Sequence, residues 1–256
     1  MKSVVLEITG RHAVVVNDDG DFIKIRNRNF KVGQRIITHD LRFKRLKFAS
    51  AAAAAAMVLF VAGGAYAYYT PYTEVSLDVN PSMVLQINYF NKVIGVAAMN
   101  ADAEQIAEKL DIINDDVNTA MDEVVNELSE QGYIDTDTDA AIVVTSTSQD
   151  QTRAQEMLQT AERKIEQKTE RLRIRAEVLG DCVGQQLVTR AREYGVSPGK
   201  LMLVEKYAIS TGDPATVDVT AWLDKPVKEI MAATKANKKA AKGKDNTGDA
   251  ETSPSP

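Results

Sequence analysis

The chain has 256 residues, a net charge of -5, two histidines and one cysteine, with 44% of its residues hydrophobic. That length allows one or two domains with real cores; a single cysteine excludes an intrachain disulfide, and His12 and His39, without ligand spacing, argue against a metal centre. The charge is unevenly divided, since residues 1–47 carry 11 Lys+Arg against 5 Asp+Glu, residues 48–69 carry none, and residues 70–256 carry 20 against 31.

From the N-terminus, Val4 to Thr9 and His12 to Asn17 are β-branched runs separated by Gly10-Arg11. Phe22 to Ile25 alternates apolar with polar after the turn Asp18-Asp19-Gly20-Asp21, a hairpin signal, and Ile36-Ile37 closes a small antiparallel sheet after Val32-Gly33. A core built from about forty residues is thin and calls for a partner. The spacing therefore predicts a small all-β N-terminal domain within 1–47, which also holds the basic cluster Arg42, Lys44, Arg45 and Lys47. The aromatic interleaving of a single-strand binder is missing, so no direct contact with nucleic acid is expected.

The uncharged run FASAAAAAAMVLFVAGGAYAYY, residues 48–69, is long enough for one bilayer crossing as a helix. It reads as a single transmembrane helix, with the basic cluster keeping the N-terminus cytoplasmic and Tyr66, Tyr68 and Tyr69 at the opposite interface. The basic residues would also attract membrane lipid. Two other readings compete, a buried Ala-rich helix and a secretory signal ending at the cleavage pattern Ala65-Tyr66-Ala67, but the 47 residues before the run are too long for a signal n-region.

Residues 70–234 read as a mixed α+β extracytoplasmic domain. Ser76 to Asn88 alternates as one strand, with Val75, Leu77, Val79, Pro81, Met83, Leu85 and Ile87 on one face and Ser76, Asp78, Asn80, Ser82, Gln86 and Asn88 on the other. A second strand follows at Val93 to Ala98. Asp102 with Gln105 fits a capping box for one helix carrying Ile106, Leu110, Ile113, Val117, Met121, Val124 and Leu128, stopped at Gly132. Ala141 to Thr147 is a strand, and a charged helix is predicted over Thr152 to Leu179. Shorter helices follow at Gln185 to Tyr194 and from Pro198 to Ala208 with Ser197 as cap. Residues 235–256 have the composition of a disordered C-terminal tail.

Enzyme signatures are poor. GVSPGK, Gly195 to Lys200, is one residue short of a phosphate loop and has Leu201 where Ser or Thr is needed, so a helix start explains it better. No nucleophile elbow exists, and neither cofactor nor metal is implied. The chemically unusual feature is Asn80-Pro81. Proline removes the backbone nitrogen that would otherwise attack the Asn side chain. The remaining route has the Asn80 amide nitrogen attack its own carbonyl, forming a succinimide and releasing Pro81 as a new N-terminus. The amide is a weak nucleophile, so the fold must supply a near-attack geometry and stabilise the oxyanion. Asp78, on the same strand face, is the candidate to orient or polarise it, and Pro81 confines Asn80 to extended conformations. Asn-Pro is also an ordinary turn dipeptide. This is single-turnover autoproteolysis at most, not a multi-turnover enzyme.

The order of parts resembles the RsgI family of transmembrane anti-sigma factors, in the opening VVLEITGRHAVVVNDDGDFIKIRNRNFKVGQRI and in TEVSLDVNPSMVLQINYFNKVIGVAAMNADA after the uncharged run. The resemblance implies that the N-terminal domain sequesters a SigI-type sigma factor in the cytoplasm. It implies self-cleavage between Asn80 and Pro81 with the fragments held together by the sheet. It implies release of the sigma factor by an intramembrane protease after the outer fragment is lost, in a single-pass protein of the cell membrane whose C-terminus is extracellular. The competing reading is a membrane-anchored envelope or scaffold protein without regulatory output.

Overall fold

The computed structural model describes residues 1–38 and 41–245; of residues 41–52 and 243–245 only the backbone course is described. His39 lies outside the described residues. The chain divides into two compact units, Met1–Gly63 and Gly64–Pro256.

In the first unit, strands β1 (Lys2–Thr9), β2 (His12–Asn17), β3 (Phe22–Arg26) and β4 (Arg35–Ile37) form an antiparallel sheet in the order β3-β2-β1-β4. Thr9 pairs with His12 around Gly10, whose φ of 59° suits a residue without Cβ. Asn17 organises the second turn, its Oδ1 accepting from the N–H groups of Asp19 and Asp21. The core is small: Val5, Ala13 and Val15 are fully buried, with Ile8, Ile23, Ile25, Phe30 and Ile36 packed against them. The sheet leaves Phe22, Val32 and Ile37 more than 60% exposed.

Helix α1 runs from Leu41 to Tyr69, as its alanines favour. It does not meet the expectation of a single transmembrane helix over 48–69: among the described residues no helix is long and apolar enough to cross a membrane. The physical reason lies in the residue types. Ala51 to Ala56 contribute little apolar area, the strong hydrophobes are confined to Met57, Val58, Leu59, Phe60 and Val61, and Gly63-Gly64 and three tyrosines complete the run. The placement of the chain's ends on opposite sides of a membrane, which rested on that span, loses its basis.

The second unit is built on a five-stranded sheet, β7-β6-β5-β8-β9, made of β5 (Thr73–Asp78), β6 (Ser82–Ile87), β7 (Val93–Ala98), β8 (Ala140–Ser148) and β9 (Ala176–Cys182). Neighbours are antiparallel except β8 and β9, which run parallel and are joined across α4 (Gln151–Arg171), as a parallel pair requires. One face of the sheet packs on α2 (Ala101–Ala107), α3 (Val117–Glu130) and α4, burying Val75, Leu77, Met83, Leu85, Ile142 and Val144 against Ile106, Met121, Val124 and Ile165. Ala141 and Val143 face the other way, onto a cluster from α5 (Gln185–Tyr194), α6 (Pro198–Ser210), α7 (Val219–Leu223) and α8 (Val227–Asp245).

Four expectations are corrected here. The stretch Ser76 to Asn88 is not one strand but a hairpin, β5 and β6, turning at Val79-Asn80-Pro81. The predicted helix from Asp102 to Leu128 is two helices, capped by Asn100 and Asp116, because Asn114 takes φ 72° and Asp116 offers its carboxylate to Asn118 N–H. The long helix ends at Arg171 rather than Leu179, with Arg173 at φ 58°, and the residues beyond form β9. The tail beginning at residue 235 is helical through Asp245 as the end of α8; residues 246–256 lie outside the described residues.

Candidate functional site

The hairpin explains why a proline sits in an alternating run. Asp78 pairs with Ser82, Leu77 with Met83 and Ser76 with Val84, so the register is symmetric about Asn80. Odd-numbered residues of both strands therefore share the face toward α2, α3 and α4, and even-numbered residues share the face toward α6. Pro81 donates no hydrogen bond, and at the tip none is required of it; its carbonyl accepts from Val79 N–H at 2.9 Å. Asn80 is exposed, with φ 118°. This overturns the expectation of an extended Asn80: the turn forces a left-handed backbone that costs a non-glycine residue of order 1–3 kcal/mol.

Asp78 ends β5 with no exposed surface. The Ser197 hydroxyl donates to its Oδ1, and the Ser76 hydroxyl donates to its Oδ2 at 3.0 Å. Ser76 Oγ also lies 2.7 Å from Thr145 Oγ1 and accepts from Gly199 N–H at 3.1 Å. With its single proton given to Asp78, Ser76 must take Thr145 as donor, which makes a directed chain Thr145, Ser76, Asp78. Ser82 Oγ, buried beside them, makes no hydrogen bond. Burial pushes the Asp78 carboxyl up to about 6, against the opposing pull of the Ser197 and Ser76 hydroxyls that donate to it and of the Lys200 ammonium. Lys200 is itself held below the usual lysine range by burial, with Asp78 and Asp224 pulling it back.

The α6 side of the site comes from GVSPGK. Gly195 closes α5 at φ 67°, Ser197 caps α6 by accepting from Lys200 N–H, and Pro198 fills the first turn. Gly199 lets the helix start descend onto the carboxylate: a Cβ there would lie 2.2 Å from Asp78 Oδ2 and 2.8 Å from Ser76 Oγ.

The structure thus brings Asp78, Asn80 and Pro81 to one hairpin end, but no hydrogen bond among the described residues joins Asp78 to Asn80. The carboxylate points inward to α6 while Asn80 lies on the surface. Sequence reasoning put Ser76 on the strand face of Asp78 but missed Thr145, Ser197, Gly199 and Lys200 as parts of its surroundings. The available signal was the pair of glycines flanking Ser197-Pro198, each at a position needing glycine for a different reason. Among the described residues no group of three or more His, Cys, Asp or Glu is arranged to hold a metal. A cleft of about 300 Å³ between β9, α6 and α8, lined by Leu179, Leu203, Ile209, Met231 and Lys206, includes none of the hairpin residues.

Two family models match the chain: the anti-sigma factor N-terminus over residues 1–39 and the anti-sigma factor RsgI-like central domain over residues 72–206. Among curated proteins the chain is 29% identical over 246 residues to anti-sigma-I factor RsgI7 of Acetivibrio thermocellus, covering 93% of this chain and 45% of that protein. Over 155 residues it is 30% identical to anti-sigma-I factor RsgI6 of the same organism, covering 56% of this chain and 20% of that protein. It is 24% identical over 220 residues to RsgI4, covering 79% and 41%. The chain spans less than half the length of each of these relatives.

Proposed function

The chain belongs to the family of RsgI-like anti-sigma factors, and from that membership we propose that its four-stranded unit sequesters a SigI-type sigma factor while its larger unit cuts itself between Asn80 and Pro81. The observation that carries the reading is the position of the Asn-Pro bond. It caps a hairpin, with Asn80 at a strained φ of 118° and two residues beyond a strand end pinned from inside through Asp78.

The proposed reaction is intramolecular. Asn80 Nδ2 attacks the Asn80 carbonyl carbon and gives up a proton; the bond to Pro81 nitrogen breaks, that nitrogen takes a proton, and a succinimide remains on the upstream fragment. No water or metal enters. Asp78 serves as a positioning residue that fixes the strand end, and strain at Asn80 raises the ground state toward the transition state. The topology supports continued association after the cut, because β5, on the upstream fragment, is hydrogen-bonded along its length to both β6 and β8.

The thin core and exposed Phe22, Val32 and Ile37 of the small unit support a partner-binding role. An intramembrane protease acting downstream would need a membrane-spanning helix, and among the described residues no helix is long and apolar enough to be one. Two experiments test the reading. The full chain, immobilised, should retain its cognate SigI-type sigma factor, and a reproducible lack of retention rejects sequestration. On a denaturing gel the chain should run as two fragments and Asn80→Ala as one; a wild-type chain that stays whole rejects cleavage.

A further inference from the structure

The hairpin that carries Asn80 is local, but the group that pins it is not. Asp78 Oδ1 is held by Ser197, 119 residues downstream at the first turn of α6. We propose that Ser197 is a positioning residue for the Asn80–Pro81 cleavage, so that the chain cuts itself only after α6 has docked on the sheet. The inference rests on the cleavage reading given above and adds to it a condition on when the cut occurs.

Three observations converge. First, both oxygens of the buried carboxylate are occupied, Oδ1 by Ser197 and Oδ2 by Ser76, so its orientation is fixed from two directions. Second, Ser76 itself is oriented from α6, since Gly199 N–H donates to its hydroxyl oxygen. Third, Gly199 is shaped to this contact, with no room for a Cβ above Asp78. Before α6 arrives, Asp78 has only Ser76 as a donor and stands at a bare sheet face. Water then competes for the carboxylate, and the strand end is free to move. A near-attack geometry at Asn80 tolerates little such movement, since a misplacement of about 1 Å costs on the order of 100-fold in rate. Docking of α6 removes the water, fills the carboxylate's hydrogen bonds and stiffens the stem of the turn. A chain truncated before α6, or misfolded there, stays whole.

The charged group facing Asp78 is Lys200, from α6, with Asp224 behind it. Strand β6 presents the hydroxyl of Ser82, and β8 reaches Asp78 through Thr145 and Ser76, all uncharged. Removing the Ser197 donor therefore leaves the carboxylate with less stabilisation and moves its titration to higher pH.

The experiment is cell-free synthesis of the full chain with the cut fraction followed on denaturing gels. Ser197→Gly keeps most of the helix cap, because glycine is well tolerated at that position, but it has no hydroxyl; Ser197→Thr keeps both functions. The expected result is cutting slowed roughly tenfold or more in Ser197→Gly, recovery in Ser197→Thr, and an inflection of rate against pH displaced upward in Ser197→Gly. A folded Ser197→Gly chain that cuts at the wild-type rate with an unmoved pH profile overturns the proposal. If Ser197→Gly does not fold, Gly199→Ala puts the question again: it displaces Asp78 while leaving every hydroxyl in place, and wild-type cutting in that variant is equally fatal. A wild-type chain that never cuts indicts the cleavage reading instead, and so separates the two failures.

Discussion

Gly199 and Asp78 approach so closely that a Cβ on the glycine would lie 2.2 Å from the carboxylate Oδ2. Gly199 sits in the first turn of α6 without a positive φ, so alanine would favour the helix by about 1 kcal/mol. The clash outweighs that gain, because the carboxylate is buried and held at both oxygens. Gly199→Ala is expected to destabilise the larger unit by about 1–3 kcal/mol net, measured by urea unfolding followed through Trp222, the sole tryptophan.

Asp78 gives the larger unit a pH dependence of definite sign. Its carboxyl is raised by burial to about 6 from an ordinary value of 3.8, so the folded chain holds this proton more tightly than the unfolded chain. Stability from this group is full below about pH 4, declines as pH rises through the window up to about 6, and is lower by about 3 kcal/mol above it. Asp78→Asn should lack this decline, so the stability difference between variant and wild type grows in the variant's favour between pH 4.5 and 7, each pH measured by urea unfolding. An unchanged difference across that range would refute the assignment.

Asn80 separates strain from chemistry. Both Asn80→Gly and Asn80→Ala remove the amide and are expected to give uncut chains on a denaturing gel. Glycine accepts a φ of 118° freely whereas alanine does not, so Asn80→Gly should be the more stable of the two by about 1 kcal/mol or more. Thermal melts of the two uncut variants, compared side by side, provide the measurement.

The exposed apolar residues of the small unit make a prediction about binding. Phe22 on β3 and Ile37 on β4 are 73% and 75% exposed, so replacing either should leave the sheet intact. Phe22→Asp and Ile37→Asp are expected to weaken retention of the SigI-type sigma factor by roughly tenfold or more. Circular dichroism checks that the fold survives, and a titration of the sigma factor on the immobilised chain reads the loss.

Helix α4 tests the capping logic in isolation. Asp150 accepts from the N–H groups of Thr152 and Arg153 at 2.9 and 3.2 Å. Asp150→Ala should cost about 1 kcal/mol of stability and Asp150→Asn much less, by the same urea assay.

What the sequence made legible follows from which forces are local. The small sheet, α5 and α6 with its Ser197 cap were readable because hairpin chemistry, caps and glycine stops act over a few residues. The turn at Asn80 was hidden by a coincidence of register. Asp78 pairs with Ser82, so the faces keep their phase through the turn and two short strands imitate one long one. Strand β9 was hidden because Glu177, Gly180 and Asp181 break any strand alternation and follow a charged helix; only pairing with β8, more than thirty residues earlier, makes it a strand. The transmembrane reading failed by counting uncharged residues where apolar area decides. Asp78, Asn80 and Pro81 were visible as a chemical oddity, whereas Ser197, Gly199 and Lys200 reach them only through the tertiary fold.

Strand β5 is the first of its sheet to leave the ribosome and the one that ends up in the middle. Its β6 neighbour follows at once, but β8 emerges only at residues 140–148, so for much of synthesis one edge of β5 is an open row of amide donors and acceptors. Nascent chains stalled short of Ser148 should therefore be the species that aggregates or recruits chaperones.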